Sequence, residues 1–143
     1  MHKRHKQRGF TLIEIMVVVV ILGVLAALVV PQIMSRPGQA KATAAQSDIK
    51  AIAMALDIYK LDNHNYPNTQ QGLEALVSKP SGALMRNWNA DGYLKRLPVD
   101  PWGNAYQYLS PGSRENAYDL FSFGADGRLG GEGLNADIGN WDF

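Results

Sequence analysis

The sequence contains no cysteine, and this absence excludes several kinds of chemistry. Disulfides, zinc–thiolate sites and thiol catalysis all need that residue. Histidine is scarce as well: two of the three lie within the first five positions, and His64 is alone. A Ser-His-Asp triad or a histidine metal centre therefore cannot be assembled, and we expect no enzymatic activity. A small domain without disulfides needs other stabilisation, such as a metal ion or assembly.

Acidic residues are missing from the first nine positions, which instead carry a cluster of basic residues. These are Lys3, Arg4, Lys6 and Arg8. Without residues 1–9 the formal net charge falls from +1 to −3, because four positive charges and no negative ones are lost. The remaining chain is mildly acidic, and this balance argues against a nucleic-acid surface.

A long apolar run, Phe10 to Val30, follows the basic cluster. Its 21 residues are enough for a helix to cross a bilayer. The preceding positive charges predict that the amino terminus stays cytoplasmic. The alternative is a secretory signal peptide, which predicts a soluble product starting well after Val30. Against it, the run exceeds the roughly 7–15 apolar residues typical of signal peptides, and VVPQIMSRPGQA is a poor cleavage site.

One carboxylate, Glu14, lies inside this apolar run. Such a charge costs several kcal/mol in a membrane unless it is paired or near the interface. It can therefore be an interfacial charge that reaches the headgroups, or a functional residue. No basic residue within the run can pair with it in the same chain. A chain cut just before Phe10 would supply a partner, the new amino group of another copy.

The stretch RGFTLIE, residues 8–14, resembles the amino-terminal signal of the type IV pilin and pseudopilin superfamily. It has the basic leader, the glycine, the aromatic residue after it, and the glutamate. The resemblance implies that a prepilin peptidase cuts between Gly9 and Phe10 and methylates Phe10. It also implies that Glu14 meets the positively charged amino terminus of a neighbouring subunit.

Beyond the apolar run, the pattern predicts a second helical segment with one apolar face. Pro31 should kink or locally melt the first helix, and Pro37–Gly38 should break it before the second begins. Asn63, Asn65 and Pro67 should end it. The residues of the apolar face recur at spacings of three and four and are expected to pack on the chain's own sheet. They are Ala45, Ile49, Ile52, Leu56 and Tyr59.

The rest of the chain predicts short elements. Residues 68–77 should form a short helix capped by Asn68 or Thr69, with Leu73, Leu76 and Val77 turned inward. After a loop from Pro80 to Asn104, strands are expected at Ala105–Leu109 and Tyr118–Phe123. Trp102, Tyr106 and Tyr108 suit a core better than a binding platform. We expect an α+β fold: a long amino-terminal helix, with a kinked transmembrane first half, packed on a small antiparallel sheet.

The wider sequence is similar to the major pseudopilins, the G subunits of type II secretion systems, in QGLEALV, GYLKRLPVDPWGNAYQY, GADGRLGG and ADIGNW. The resemblance implies a leader (1–9), a transmembrane and assembly helix (10–30) and a periplasmic globular domain (31–143). It implies a single-pass inner-membrane protein that polymerises with itself into a periplasmic pseudopilus. Implied partners are the prepilin peptidase, minor pseudopilins and an inner-membrane assembly platform with its cytoplasmic ATPase; the implied role is export of folded proteins across the outer membrane.

The glycine-rich tail FGADGRLGGEGLNADIGNW is acidic, and by pattern alone it is a solvated turn-rich loop or a calcium loop. The resemblance implies a structural calcium, held by Asp126, Asp137 and the carbonyls of Phe123 and Arg128. Some relatives have further aspartates where this chain has Gly133, Leu134 and Asn135. Asn135 or Glu132 is therefore the expected substitute ligand, and Asp142 is expected to be a surface charge.

Two other functions compete with this interpretation. One is a type IV or competence pilin, a surface filament subunit of the same superfamily. The other is a membrane-anchored calcium-binding or hydrolytic domain that stays monomeric and in which Glu14 is dispensable.

Overall fold

The computed structural model of the chain describes residues 9–82 and 85–143, with the side chains of residues 29–36 left outside the description. The predicted leader therefore lies almost wholly outside the described residues. The chain forms two compact units, one ending at Pro37 and the other running from Gly38 to Phe143. Each described segment of the first unit is helical or immediately precedes the helix.

Helix α1 runs unbroken from Leu12 to Asn63. The break predicted at Pro37–Gly38 and the local melting predicted at Pro31 are therefore wrong. A proline removes one backbone hydrogen bond, but its own φ is helical, so a long helix can continue through it. The strong helix formers around Ala40 and Lys41 favour that continuation. Whether α1 bends at Pro31 stays a prediction.

The front of α1 is apolar on all sides, and every described side chain from Phe10 to Leu28 is exposed. In this stretch the side chains are described only as far as Leu28. Among the described residues, no helix has both the length and the hydropathy needed to cross a bilayer.

The rear of α1 carries the face predicted from periodicity, and that face is confirmed as buried. Its five residues are at most 1% exposed, and they form the centre of the hydrophobic core: Ala45, Ile49, Ile52, Leu56 and Tyr59. The helix ends where Asn63 was predicted to end it. His64 then turns the chain with a left-handed φ of 67°, and its N–H donates to the carbonyl of Lys60 at 2.7 Å.

The segment predicted as a second α-helix is shorter and tighter. Only Leu73–Leu76 is helical, in the 3₁₀ form, after a turn. Asn68 starts this turn: its Oδ1 accepts from the N–H of Gln71, whose Oε1 accepts from the N–H of Asn68. Thr69 instead exchanges hydrogen bonds with Ser110. Leu73 and Leu76 are buried as predicted, whereas Val77 is only partly buried.

The sheet has three antiparallel strands in the order β1-β2-β3: β1 (Gln107–Leu109), β2 (Asp119–Ser122) and β3 (Ile138–Gly139). The first two confirm the predicted strands, with shorter bounds. β3 was not predicted, because two residues carry no alternating pattern. Phe121 lies opposite Gln107 on one side and Gly139 on the other. The sheet and the rear of α1 enclose one core.

Of the three predicted core aromatics, Tyr106 is buried, whereas Trp102 and Tyr108 are partly buried and pack against the core. The hydroxyl of Tyr106 donates to Oδ2 of Asp48 at 2.8 Å, and that of Tyr108 donates to the carbonyl of Pro67 at 2.8 Å. Burial raises the pKa of Tyr108 to about 12, and burial together with Asp48 raises the pKa of Tyr106. Both phenols therefore stay neutral. Their hydrogen bonds connect β1 and the residue before it to Asp48 of α1 and to Pro67.

Candidate functional sites: the helix start and the carboxyl-terminal loop

Glu14 has a partner within its own chain at the start of α1. The N–H of Thr11 donates to Oε2 of Glu14 at 3.3 Å, and the N–H of Glu14 donates to the carbonyl of Thr11 at 3.1 Å. Thr11 precedes the first helical residue, Leu12, so the pair resembles a capping box. This local bond satisfies a backbone donor that the helix end otherwise leaves without a partner.

The residues predicted for cleavage and assembly lie together. Gly9, Phe10, Thr11 and Glu14 line an open cleft of about 420 Å³. Gly9 and Phe10 precede the helix, and Phe10 is 81% exposed. The bond between them therefore lies outside the helix. Cleavage at Gly9 and methylation of Phe10 stay predictions.

Thr11 is the functional residue that the sequence analysis missed at this site. The signal was present, because Thr11-x-x-Glu14 before an apolar run is the capping-box pattern. Glu14 was interpreted through its charge alone, and its hydrogen-bonding capacity was overlooked. A carboxylate has two oxygens, so one can cap the helix while the other accepts a second donor.

The carboxyl-terminal loop is built from two short 3₁₀ helices, Gly124–Asp126 and Gly133–Asn135, which pack against each other. Two glycines make this packing possible. Gly131 has a φ of 91°, and a side chain there would collide with the carbonyl of Asn135. Gly124 has a φ of 71°, and a Cβ there would lie 2.6 Å from the carbonyl oxygen of Ala136. Only glycine fits both positions without strain.

The side chains predicted to bind calcium differ in their exposure and in their hydrogen bonds. Asp126 is exposed, and its Oδ1 accepts from the N–H of Arg128 at 3.1 Å. Asn135 is exposed and ends the second 3₁₀ helix. Asp137 is half-buried; its Oδ2 accepts from the N–H of Gly130 at 2.9 Å. Its Oδ1 is buried and has no hydrogen-bond partner among the described residues.

The unpartnered oxygen of Asp137 is the feature of this loop that suits a hard cation. A buried carboxylate oxygen without a donor is costly, and a bound cation removes that cost. Across the described part of the chain, no group of three or more His, Asp or Glu side chains is arranged to hold a metal. A site here would thus depend on two carboxylates with neutral oxygens, the kind predicted from Phe123 and Arg128. These ligand assignments stay predictions.

Two further aspartates near the loop are structural. Asp142 is exposed, and its Oδ2 accepts from the N–H of Gly139 at 2.8 Å. Asp100 is 2% exposed and holds the turn before β1, because its Oδ1 accepts from the N–H groups of Trp102 and Asn104. Its Oδ2 accepts from the hydroxyl of Ser122 at 2.6 Å. No sequence pattern distinguished Asp100 from a surface carboxylate.

A second apolar face on the rear of α1 was not predicted. Met54, Ile58 and Leu61 are all more than half exposed, and their spacings of four and three place them on one side of the helix. We call these three residues the outer stripe. Its far end borders a shallow depression lined by Asp57, Lys60, Leu61, His64 and Tyr66.

Comparison with known proteins gives two family matches that together span most of the chain. Residues 32–141 match the family described as type II secretion system (T2SS), protein G. Residues 4–30 match the prokaryotic N-terminal methylation motif.

Individual relatives agree with these matches. Type II secretion system core protein G of Pseudomonas aeruginosa is 71% identical over 141 residues, covering 98% of this chain and 99% of that protein. The protein of the same name from Vibrio cholerae is 58% identical over 142 residues, covering 99% and 97%. A crystal structure of the major pseudopilin from the type 2 secretion system of enterohaemorrhagic Escherichia coli matches with a TM-score of 0.70 and 47% identity. It covers 80% of this chain and 98% of that chain.

The matches cover both units and agree with the motifs at each end of the chain. They correspond to a structural pseudopilin family and not to a family of enzymes. The chain belongs to the protein G family of type II secretion systems, as its sequence predicted.

Proposed function

We propose that the chain is the major structural subunit of a type II secretion pseudopilus and has no catalytic role. It polymerises into a helical filament after cleavage between Gly9 and Phe10. Growth of the filament, driven through an inner-membrane platform and capped by minor pseudopilins, helps export folded proteins across the outer membrane. The names of the relatives favour this role over a type IV or competence pilin.

The observation that carries the proposal is the exposed front of α1. Nineteen consecutive residues, Phe10 to Leu28, leave every side chain uncovered by their own unit. An all-round apolar helix needs an apolar surrounding. Lipid supplies it before assembly, with the amino terminus cytoplasmic and the globular domain periplasmic; neighbouring helices supply it afterwards. The outer stripe is also exposed and apolar, so part of the globular domain needs an apolar surrounding as well.

Glu14 links processing to assembly in this scheme. Cleavage before Phe10 creates a cationic amine. The Glu14 oxygen that Thr11 does not use can accept a hydrogen bond from the amine of another copy. Burying either charge alone costs several kcal/mol, so only a docked pair in register is stable. The partner does not exist before cleavage, and an unprocessed chain therefore cannot assemble.

The test is the mass and sequence of the mature amino terminus, which we expect to be methylated Phe10. A start after residue 30 would contradict the proposal and support a secretory signal peptide. Gly9→Val should block processing. Among the described residues no atom lies within 4 Å of a Cβ built at Gly9, so the described fold should not change. Gly23 is equally open, and Gly23→Val is the matched control that should still be processed.

We also propose a structural calcium ion in the carboxyl-terminal loop. Asp126 and Asp137 would hold it with the carbonyls of Phe123 and Arg128, and with the Asn135 amide oxygen. The unpartnered Oδ1 of Asp137 supports this. The ion would neutralise the carboxylates and replace the disulfide that a chain without cysteine cannot form.

Thermal unfolding of the full chain in detergent tests the calcium site. We expect wild type to melt at a higher temperature in calcium than in chelator. Asp126→Ala and Asp137→Asn should lose most of that difference and melt like wild type in chelator; asparagine still offers an acceptor to Gly130. Asp91→Ala removes an exposed carboxylate from another loop and is the control. Equal melting of wild type under both conditions would remove the calcium proposal.

A further inference from the structure

One side chain of the carboxyl-terminal loop lies directly on the backbone of α1. Leu134 packs over Gly38, the first residue of the second unit. A Cβ built at Gly38 would lie 2.5, 2.9 and 3.2 Å from three carbon atoms of Leu134. A side chain at position 38 would therefore force the end of the Leu134 side chain to shift. Gly38 has an ordinary helical φ, so the glycine serves this close approach and not an unusual backbone conformation.

Leu134 is 41% exposed, and backbone hydrogen bonds hold the short helix that carries it. Leu134 sits inside the 3₁₀ helix Gly133–Asn135, where the N–H of Asn135 donates to Glu132 and that of Ala136 donates to Gly133. Asp137, whose buried Oδ1 has no hydrogen-bond partner within the part of the chain that the structure describes, follows three residues after Leu134. Because only two residues separate Asp137 from Leu134, a change in the backbone at Asp137 can displace Leu134.

The helix turn beneath Leu134 has few other tertiary contacts. From Gln39 to Ala44 only Ala42 is partly buried, and Ala45 is the first fully buried residue after Gly38. Such a turn opens easily unless something packs on it. Leu134 supplies packing one full turn ahead of the core.

We infer that Leu134 and Gly38 form a coupling contact through which a cation in the carboxyl-terminal loop rigidifies the first turn of the globular part of α1. The inference rests on the proposed calcium site. With the cation bound, Asp137 has its missing partner and the loop holds Leu134 on Gly38. Without it, the desolvated carboxylate favours an opened loop, Leu134 leaves the helix, and residues 38–44 exchange their amide hydrogens faster.

Hydrogen exchange of the full chain in detergent, with calcium and with chelator, tests the contact. In wild type we expect calcium to slow exchange by about fivefold both in the loop (124–137) and in the helix turn (38–44), since part of a leucine side chain is buried there. Leu134→Ala should keep the response of the loop and lose that of the helix turn. Leu129→Ala, at the most exposed leucine of the same loop, should behave as wild type.

Gly38→Ala is a second, independent variant. Its new Cβ displaces the Leu134 side chain from the helix, although residue 134 itself is not substituted. Alanine is the better helix former, so a general loss of helicity is not expected. The helix turn should nevertheless lose its response to calcium, while the loop keeps its own.

The outcomes separate the two proposals. If the loop responds to calcium and the helix turn does not in wild type, the coupling is wrong and the calcium site stands. If the helix turn still responds in both Leu134→Ala and Gly38→Ala, the coupling is also wrong. If the wild-type loop itself does not respond, the calcium site falls and the coupling with it.

Discussion

The front and rear halves of α1 put very different surfaces on one continuous helix. Leu22 in the front half is 59% exposed, whereas Leu56 in the rear half is fully buried. The rear half alternates apolar and polar residues at helical spacing, so its own sheet can cover one face. The front half is apolar all round, and no single sheet could cover it. Hydrophobicity alone therefore does not determine burial; its distribution around the helix does.

The largest effect should come from the carboxylate that interrupts the front half. We expect Glu14→Ala and Glu14→Gln to lower filament assembly by more than about a hundredfold, because each leaves the neighbour's amine unpaired. Sedimentation of filaments from cells measures this. Glutamine can still accept from Thr11, so it keeps the cap and loses only the charge. Normal filaments from Glu14→Gln would show that the cap, and not the charge, is what matters.

The comparison between the halves is tested most directly by the same substitution in each. Leu56→Ala should lower the free energy of unfolding by about 2–5 kcal/mol, because it leaves a cavity in the core. Leu22→Ala should leave it unchanged within roughly 0.5 kcal/mol. Urea unfolding of the full chain in detergent, followed by tryptophan fluorescence, gives both values. Similar losses for the two variants would mean that the front half packs within its own chain.

Alkaline pH should weaken the globular unit, whose core includes the rear half of α1. Burial raises the pKa of Tyr108 to about 12 and also raises that of Tyr106, whereas an unfolded tyrosine ionises near 10. The unfolded state therefore loses protons first, so stability is constant below about pH 10 and falls as pH rises towards 12.

The free energy of unfolding of Tyr108→Phe should fall less steeply over this pH range. At pH 7 it should be less stable by about 1 kcal/mol, since the carbonyl of Pro67 loses its donor. Chemical denaturation at pH 7, 9, 10 and 11 measures both effects. An unchanged slope would mean that Tyr108 does not carry the effect.

The smallest effect concerns the residue that ends the rear half. His64 holds a φ of 67°, which glycine adopts without strain. His64→Gly should therefore raise the free energy of unfolding by about 0.5 kcal/mol, the greater freedom of glycine in the unfolded chain offsetting part of the gain. His64→Ala controls for loss of the side chain and should give no gain. Urea denaturation compares the three proteins.

The sequence predicted the elements that repeat and missed those that depend on distant pairing. The buried face of α1 was predicted because its spacing repeats over four turns. The break at Pro37–Gly38 was predicted wrongly, because the local cost of proline and glycine was weighed without the contacts available to a long helix. β3 carries no local signal because it pairs with β2, whose residues lie at least sixteen positions away, and no local signal shows that Asp100 meets Ser122, twenty-two positions away.

The candidate sites divide in the same way. RGFTLIE is a contiguous motif, so Gly9, Phe10 and Glu14 could be named from sequence alone. The carboxyl-terminal loop could be named as acidic and glycine-rich. Which of its oxygens lacks a partner could not, because that depends on how two 3₁₀ helices pack.

The sheet of this protein has very short edges. β1 contributes three residues and β3 two, and the four-residue β2 between them is paired on both sides. Long open edges invite strands of other molecules, the usual route to uncontrolled fibres. A chain that assembles through its helix gains from lacking such a template. The described sheet therefore offers little template for strand pairing between copies.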